Sequence, residues 1–306
     1  MSPSTSSGRT VNQWLKGSMV ALITPFREGE VDVRTLRRLV EFHVRKGTSA
    51  LVPCGTTGES ATLSHEEHQQ VIEATIQASH GRIPVIAGTG SNNTQEALRL
   101  TRHAQRAGAD AALLISPYYN RPTQEGLYRH FRTIAESVEI PLILYNIASR
   151  TGVNIEPETF ARLAKLPRIV GVKEASGSLE QMSRIKALCR DRFALISGDD
   201  ALTLPVLAIG GVGVISVIAN LVPDRVARMI RLFGQGRVDQ ARKIHYELLP
   251  LTKALFLETN PIPVKTAMGL MRMIDDASLR LPMCPMSDGN LVKLKEVLRS
   301  YRLIPR

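Results

Sequence analysis

Eight short apolar segments, alternating with amphipathic helical patterns, run through most of the chain. They read MVALITP, ALVPCG, IPVIAGTG, AALLISP, IPLILYN, IVGVKEA, FALISGD and VGVISV. Because these segments are apolar along their whole length, they predict strands buried on both faces, as in a parallel sheet. Eight strand–helix units within about 215 residues favour an α/β fold of the closed (β/α)8 TIM-barrel type over an open doubly wound sheet.

The chain divides into three expected regions. The strand signal ends after Gly236 and helical periodicity continues to Arg306, which predicts a barrel of residues 17–236 and a small C-terminal helical region of residues 237–306. The opening MSPSTSSGRTVNQ is polar, so residues 1–16 are expected to form a flexible tail and not a secretory signal. Since no apolar run reaches roughly 18 residues, no membrane span is expected.

The net charge of +11 and the pI of about 9.9 raise the question of a nucleic-acid partner. However, the cations are scattered along helical segments, no run of five occurs, and aromatic residues make up only 5% of the chain, too few for base-stacking platforms. We therefore expect no nucleic-acid partner. The charge is interpreted as solvated helix faces or as attraction for a small anionic substrate. A basic, non-catalytic nucleic-acid-binding barrel is the alternative from another functional class.

The three cysteines, Cys54, Cys189 and Cys284, are far apart in the sequence. Their number and spacing fit neither a disulfide framework nor a zinc site, so a reducing cytoplasm is the expected compartment. Cys54 is expected to be a small buried residue. The pair His65 and His68 lacks further ligands at suitable spacing, so no metal is expected.

Polar residues follow seven of the eight apolar segments, where a barrel of this kind carries its chemistry. Several glycines among them would let a ligand approach the backbone closely. These stretches are Thr24, GTTGES, GTGSNN, PYYNRP, YNIASRTG, Lys173 and SGDD.

Lys173 ends the sixth apolar segment, and lysine is rarely buried without a reason. It could extend to solvent or pair with Glu174. In the functional interpretation, an apolar barrel mouth disfavours the ammonium form and leaves a neutral amine able to attack a carbonyl. The resulting protonated imine would acidify the neighbouring carbon, as in a Schiff-base aldolase.

The loop GTTGES lacks the GK[ST] of a phosphate-binding loop, but its main-chain N–H groups and the hydroxyls of Thr56 and Thr57 suit a carboxylate. Tyr145 ends the fifth segment, and its phenol could exchange a proton with a reacting oxygen. Arg150 offers a bidentate fork for a second carboxylate. The alternatives are an ordinary turn for the loop and simple packing for Tyr145.

Two helix starts carry capping-box patterns, Ser64 with Glu67 and Asn93 with Glu96. These patterns give both glutamates a purely structural explanation.

Seven motifs in order, GTTGESATL, PYYNRP, YNIASRTG, GVKEASG, SGDD, GVISV and NPIPVK, resemble the dihydrodipicolinate synthase family from about Gly17 to the C-terminus. The resemblance implies a barrel with C-terminal helices, assembled as a homotetramer that is a dimer of dimers. It also implies a lyase without a cofactor. Such an enzyme condenses pyruvate with L-aspartate 4-semialdehyde through a lysine imine, at the first committed step of diaminopimelate and lysine biosynthesis.

The resemblance assigns roles to eight residues. Lys173 would form the imine, and Tyr119 would reach into the neighbouring subunit's site. The catalytic set is Lys173, Tyr145, Thr56 and Tyr119, and the substrate-binding set is Thr57, Arg150, Gly198 and Ile215. One departure from the family pattern is Ala148, where a proline is common before Arg150.

A second set of residues resembles the site at which L-lysine inhibits some members of the family. In it, Glu96 would take an ammonium group. As an alternative, His65 and His68 are ordinary surface residues of a helix and Glu96 is only a cap. The set is Ser60, Ala61, His65, His68, Asn92, Glu96 and Tyr118.

Sibling pyruvate aldolases are the closest rivals, because N-acetylneuraminate lyase and 2-keto-3-deoxy sugar-acid aldolases share the barrel and the lysine. The pair Thr56–Thr57, with Tyr119 and Arg150, favours the amino-acid enzyme. A regulatory relative without turnover is disfavoured, since the proton-relay residues are all present.

Overall fold

The computed structural model describes residues 11–189 and 193–305. Eight of its strands form one parallel sheet, and two short ones form an antiparallel hairpin. In chain order the strands are β1 Gly17–Ala21, β2 Phe26–Arg27, β3 Glu30–Val31, β4 Ala50–Val52, β5 Ile86–Gly88, β6 Ala111–Ile115, β7 Leu142–Asn146, β8 Ile169–Glu174, β9 Ala194–Ser197 and β10 Gly213–Ser216.

Helices follow the barrel strands and continue into the C-terminal region. Ser64 and Glu67 form the full capping box of α3, as the sequence predicts, and the structure adds an N-cap for α2 at Asp32. The helices are α1 Val11–Trp14, α2 Val33–Arg45, α3 His65–Ser79, α4 Thr94–Ala107, α5 Gln124–Glu136, α6 Ala148–Thr151, α7 Pro157–Leu163, α8 Leu179–Cys189, α9 Thr203–Ala208, α10 Pro223–Gly234, α11 Val238–Ala254, α12 Ile262–Leu270 and α13 Asp288–Ser300.

The sheet closes on itself. Its strands are paired in the order β4, β1, β10, β9, β8, β7, β6 and β5, and a parallel bridge between Leu51 and Val85 joins the two ends. The predicted (β/α)8 barrel is therefore confirmed, and each of the eight apolar segments supplies one of its strands. Closure brings the carboxyl ends of all eight strands to one rim.

Side chains inside the barrel form their own apolar cluster, which includes Met19, Ile86, Ile143 and Ile196. Two further clusters lie between the strands and the helices. This division follows from the alternation of side chains along a strand, which sends successive residues to opposite faces. Each residue at a strand end therefore points either into the barrel or towards the helices.

Residues 11–16 differ from the expected tail. Val11, Trp14 and Leu15 are buried against the interior barrel cluster, so a flexible segment ending at residue 16 is wrong for these positions. Their apolar side chains stabilise the contact by leaving water. Residues 1–10 of the expected tail lie outside the described residues.

The C-terminal helices α11, α12 and α13 pack on the cluster that lies beside β1 and β10. The loop before α12 reaches the barrel rim, where Asn260 is buried. Within the part of the chain that the structure describes, no helix has the length and apolar character needed to cross a membrane.

Candidate active site

Lys173 and Tyr145 face each other across neighbouring strands. They are register partners on β8 and β7, and the Lys173 Nζ lies 4.1 Å from the centroid of the Tyr145 ring. Their exposed fractions are 7% and 5%. The lysine therefore does not extend to bulk solvent, and its amine is held against the phenol ring that the sequence assigned to proton exchange.

Glu174 points away from Lys173, as the alternation of a strand requires. Its carboxylate accepts hydrogen bonds from Asn146 Nδ2 at 3.0 Å and from the main-chain N–H of Ser176 at 2.8 Å. Burial raises the pKa of this carboxyl. The alternative in which Glu174 pairs with Lys173 is therefore wrong.

Gly198 packs against Lys173, and Ile215 lies in the same barrel interior as Tyr145. A Cβ atom at Gly198 would lie 3.2 Å from Lys173 Cγ and 2.7 Å from Ala175 Cβ, so the lysine stem packs directly on the glycine backbone. Ile215 lies on β10 inside the barrel and is buried in the same cluster as Tyr145. Both residues thus lie at the rim where the sequence expects substrate.

The loop after β4 carries the two threonines. Thr57 is buried, and its Oγ1 accepts a hydrogen bond of 2.9 Å from Asn260 Nδ2, while Thr56 is half-buried. The main-chain oxygen of Asn260 accepts a bond of 3.1 Å from Arg150 Nη2. Asn260 therefore joins the two expected carboxylate contacts.

Asn260 is the site residue that sequence reasoning missed. It begins the motif NPIPVK, which carries part of the family resemblance but by itself indicates no role for this amide. Its buried Oδ1 has no hydrogen-bond partner among the described residues, so this amide still offers an acceptor at the rim.

A cavity of about 440 Å³ opens beside these residues. It connects the expected catalytic residues Thr56 and Tyr145 and the expected substrate-binding residue Arg150 with most of the expected lysine site. Lys173 reaches this lining through its contact with the Tyr145 ring. The expected site residues outside the lining are Lys173, Thr57, Tyr119, Gly198, Ile215 and Asn92, whereas those of the expected lysine site within it are Ser60, Ala61, His65, His68, Glu96 and Tyr118.

Glu96 makes side-chain contacts and does not complete a capping box. Its carboxylate lies 3.3 Å from His65 Nε2 and accepts a hydrogen bond from Ser91 Oγ, while the side chain of Asn93 alone caps α4. The expected box at Asn93 is therefore only half formed. Arg99 Nη2 lies 2.7 Å from His65 Nε2 and 3.9 Å from Glu96 Oε1, so an arginine also borders the carboxylate.

His68 differs from its neighbour His65. His65 is exposed, as a surface helix residue would be, but His68 is buried, and burial lowers its pKa to about 4. Both ring nitrogens of His68 have no hydrogen-bond partner within the described residues. A neutral imidazole thus faces the cavity, and the surface-residue alternative is wrong for His68.

A sequence model described as the dihydrodipicolinate synthetase family matches residues 14–301. The chain belongs to the dihydrodipicolinate synthetase family.

Members of this family resemble the chain over nearly its full length. It is 58% identical over 289 residues to the 4-hydroxy-tetrahydrodipicolinate synthase of Syntrophus aciditrophicus, covering 94% of this chain and 99% of the relative. The crystal structure of dihydrodipicolinate synthase from Aquifex aeolicus has a TM-score of 0.93 and 52% identity, covering 94% of this chain and 98% of that one. The same enzyme from Cyanidioschyzon merolae, with lysine bound, has a TM-score of 0.92 and 40% identity, covering 95% and 99%.

The local turn forms although Ala148 stands where the family commonly has a proline. Ala148 is the first residue of α6, where proline is tolerated because the first N–H groups of a helix need no intrahelical partner. The N–H groups of Arg150 and Thr151 bond to the main-chain oxygen of Ile147 at 3.0 and 3.1 Å. Arg150 is thus presented by a turn that forms without proline.

Tyr119, unlike the other family residues, points away from its own barrel. Its side chain is 89% exposed, and its backbone has φ of +72°, a conformation that non-glycine residues adopt at some cost. Asn92 lies nearby, since its main-chain oxygen accepts a bond of 2.9 Å from Asn120 Nδ2.

The cysteines of this family member are all unpaired. Cys54 and Cys189 are buried and Cys284 is exposed. Burial raises the pKa of Cys54 well above its usual range, which makes it an unreactive packing residue. No group of three or more candidate metal ligands occurs within the described ranges.

Proposed function

We propose that the chain condenses pyruvate with L-aspartate 4-semialdehyde to form 4-hydroxy-tetrahydrodipicolinate, with Lys173 as the residue that forms the imine. This is the first committed step of diaminopimelate and lysine biosynthesis. The observation that carries the assignment of Lys173 is its burial inside a closed barrel, face to face with Tyr145. The assignment to this substrate pair draws on the relative that is 58% identical.

The reaction proceeds by covalent catalysis. The Nζ lone pair of Lys173 attacks the keto carbon of pyruvate to give a carbinolamine, and protonation of its hydroxyl lets that group leave as water, which gives a protonated imine. The imine withdraws electrons, so the methyl carbon loses a proton and becomes an enamine. The enamine carbon attacks the aldehyde. The amino group of the semialdehyde then attacks the imine carbon, which closes the ring and releases Lys173, so no cofactor is consumed.

Proton transfers fall to the hydroxyls at the rim. Tyr145 lies against the amine, and Thr56 lines the same cavity. A tyrosine and a threonine can pass a proton because each hydroxyl both donates and accepts. Tyr119 of a neighbouring subunit would complete this relay, since its own side chain is free of its own barrel.

Carboxylate binding falls to the residues joined by Asn260. Thr57 would hold the pyruvate carboxylate, and Arg150 would hold that of the semialdehyde with its planar fork. The main chain at Gly198 and Ile215 would border the reacting carbons. The charge of +11 favours the approach of the pyruvate anion.

Borohydride trapping tests the proposal. The protein is reduced in the presence of pyruvate, and peptide mass mapping locates the adduct, which is expected at Lys173. K173A should form no trapped adduct and should have no turnover, and Y145F should have a severely reduced turnover. K165A, which removes an exposed lysine, is the matched control.

Two results would contradict the proposal. The first is an adduct elsewhere, or wild-type turnover in K173A or Y145F. The second is faster consumption of N-acetylmannosamine than of aspartate semialdehyde with pyruvate, which would assign the chain to the sibling aldolases.

L-Lysine is the proposed inhibitor, and it would bind where His65, His68 and Glu96 meet the cavity. Glu96 would pair with an ammonium group of the ligand, as carboxylates do in partly buried sites. Support comes from the similar lysine-bound structure. Isothermal calorimetry should detect binding that E96Q weakens and E73Q does not. Absence of binding at millimolar L-lysine would exclude the site.

A homotetramer built as a dimer of dimers is the proposed assembly, in the cytoplasm. The exposed Tyr119 supports a partner at that face, and three unpaired cysteines suit a reducing compartment. Light scattering measures the assembly directly.

A further inference from the structure

Asn146 and Glu174 are register partners on β7 and β8, one residue beyond Tyr145 and Lys173. Both have an exposed fraction of 0%. Because successive residues of a strand alternate, this polar pair faces the helices while the other pair faces the inside of the barrel. The two pairs thus occupy adjacent positions on the same two strands and point in opposite directions.

Every hydrogen-bonding group of Asn146 is used. Its Nδ2 donates to Glu174 Oε2 at 3.0 Å and to Asn154 Oδ1 at 2.8 Å, and its Oδ1 accepts from the main-chain N–H of Ile155 at 3.0 Å. Glu174 accepts in addition from Ser176. Asn146 and Ser176 thus both donate to the Glu174 carboxyl, one to each of its oxygens.

The network joins three segments that carry the site. Asn154 and Ile155 follow the turn that presents Arg150, and Asn154 also exchanges hydrogen bonds of 2.9 and 3.0 Å with Gln181 of α8. A buried network of polar side chains is costly, and apolar residues in its place are often as stable or more so. The presence of such a network therefore indicates that the relative positions of these segments must be held fixed.

The strand pairing shows where that geometry is needed. The register of β7 and β8 shifts by one residue between Leu142 and Ile143, so pairing at the start of the strands does not determine which residue faces Tyr145. A one-residue slip would turn Lys173 to the helix side and Glu174 into the barrel. The Asn146–Glu174 pair lies beyond the shift and holds the register at the site.

We infer that Asn146 and Glu174 are positioning residues that hold the Lys173 amine against the Tyr145 ring and fix the Arg150 turn. The inference rests on the proposed imine chemistry at Lys173. Neither residue touches the reacting atoms; both act through their neighbours on the strand.

A donor–acceptor swap tests the inference. N146D places two acceptors opposite each other, and E174Q places two donors opposite each other. The double variant N146D/E174Q restores one donor facing one acceptor, with Asn154 and Gln181 able to reverse their reciprocal bonds. Each single variant should slow borohydride trapping of pyruvate at Lys173 by about tenfold or more, and the double variant should recover to within about threefold of wild type.

The readout is the trapping rate per folded molecule. Circular dichroism and a melting curve show how much of each variant is folded, because a merely structural role would lower only the melting temperature. E180Q, which alters an exposed glutamate on α8, is the matched control. Folded single variants with wild-type trapping rates would overturn the inference. So would a double variant that traps slowly or does not fold. Where the single variants do not fold, the double variant alone decides. Absence of trapping in the wild type would instead reject the proposed function.

Discussion

Lys265 and Glu59 form an ion pair that solvent does not reach: the Nζ lies 2.6 Å from Glu59 Oε1, and the side chains are 0% and 2% exposed. The ammonium also lies 3.9 Å from the centroid of the Phe26 ring, and the main-chain N–H of Arg280 donates to the other Glu59 oxygen. Burial lowers the pKa of Lys265, against the pull of Glu59. The pair ties the loop of Thr57 to α12 of the C-terminal region.

Removing one partner of this pair should destabilise the fold strongly. K265M leaves Glu59 buried and uncompensated, and we expect the free energy of unfolding to fall by about 3 to 5 kcal/mol. E59Q/K265M removes both charges and should recover most of that loss. Urea unfolding measures both variants, with K253M at an exposed lysine as the control. Equal stability of the single and double variants would contradict a compensated buried pair.

Gly198 should tolerate no side chain. In G198A the new methyl group would overlap Ala175 and press on the stem of Lys173. We expect imine trapping with pyruvate to slow by about tenfold or more while the fold is retained. G289A, in α13, is the control because a Cβ there meets nothing within 4 Å. A G198A enzyme with unchanged trapping would show that the lysine stem moves freely.

Tyr119 should act in the site of the neighbouring subunit. Y119F and K173A should each be nearly inactive alone, but a mixed dimer has one site with both residues intact. When the two are co-expressed in equal amounts, random assembly should restore about a quarter of the wild-type activity. Steady-state assays of the purified mixture measure the recovery. No recovery despite mixed dimers in native mass spectrometry would place Tyr119 in its own subunit's site.

Acid should destabilise the protein through buried histidines. Burial lowers the pKa of His43 to about 3 and that of His130 to about 4, below the ordinary value of 6.5. As the pH falls below 6.5, His43 and His130 bind protons in the unfolded chain but stay neutral in the folded chain. The stability present above pH 6.5 is therefore progressively lost. The loss is about 1.4 kcal/mol per pH unit for each such histidine until its folded pKa is reached.

The His43 contribution can be isolated by substitution. H43Q should flatten the decrease of unfolding free energy between pH 6.5 and 4.5, measured by urea unfolding. H80Q, at an exposed histidine, should leave the decrease as in the wild type. An unchanged slope in H43Q would mean that His43 is already protonated in the folded protein.

Local sequence patterns predicted the elements of the barrel well. Each apolar segment yields a strand, although IPVIAGTG shortens to Ile86–Gly88, because glycines and polar residues end the pairing. Ser64 and Glu67 cap α3 as predicted, since a capping box involves only four consecutive residues. The same reasoning was half wrong at Asn93, because the Glu96 carboxylate bonds to Ser91 and lies beside His65 on another helix.

The sequence by itself therefore determined the strands, the order of the units and the lysine at the end of the sixth strand. These depend on burial and on contacts between near neighbours in the chain. Only the tertiary structure decided that Lys173 faces Tyr145, that Asn260 contacts Thr57 across 203 positions, and that Lys265 neutralises Glu59 across 206. Barrel closure and the packing of the C-terminal helices bring these residues together, and no local preference of the chain encodes which distant side chains meet.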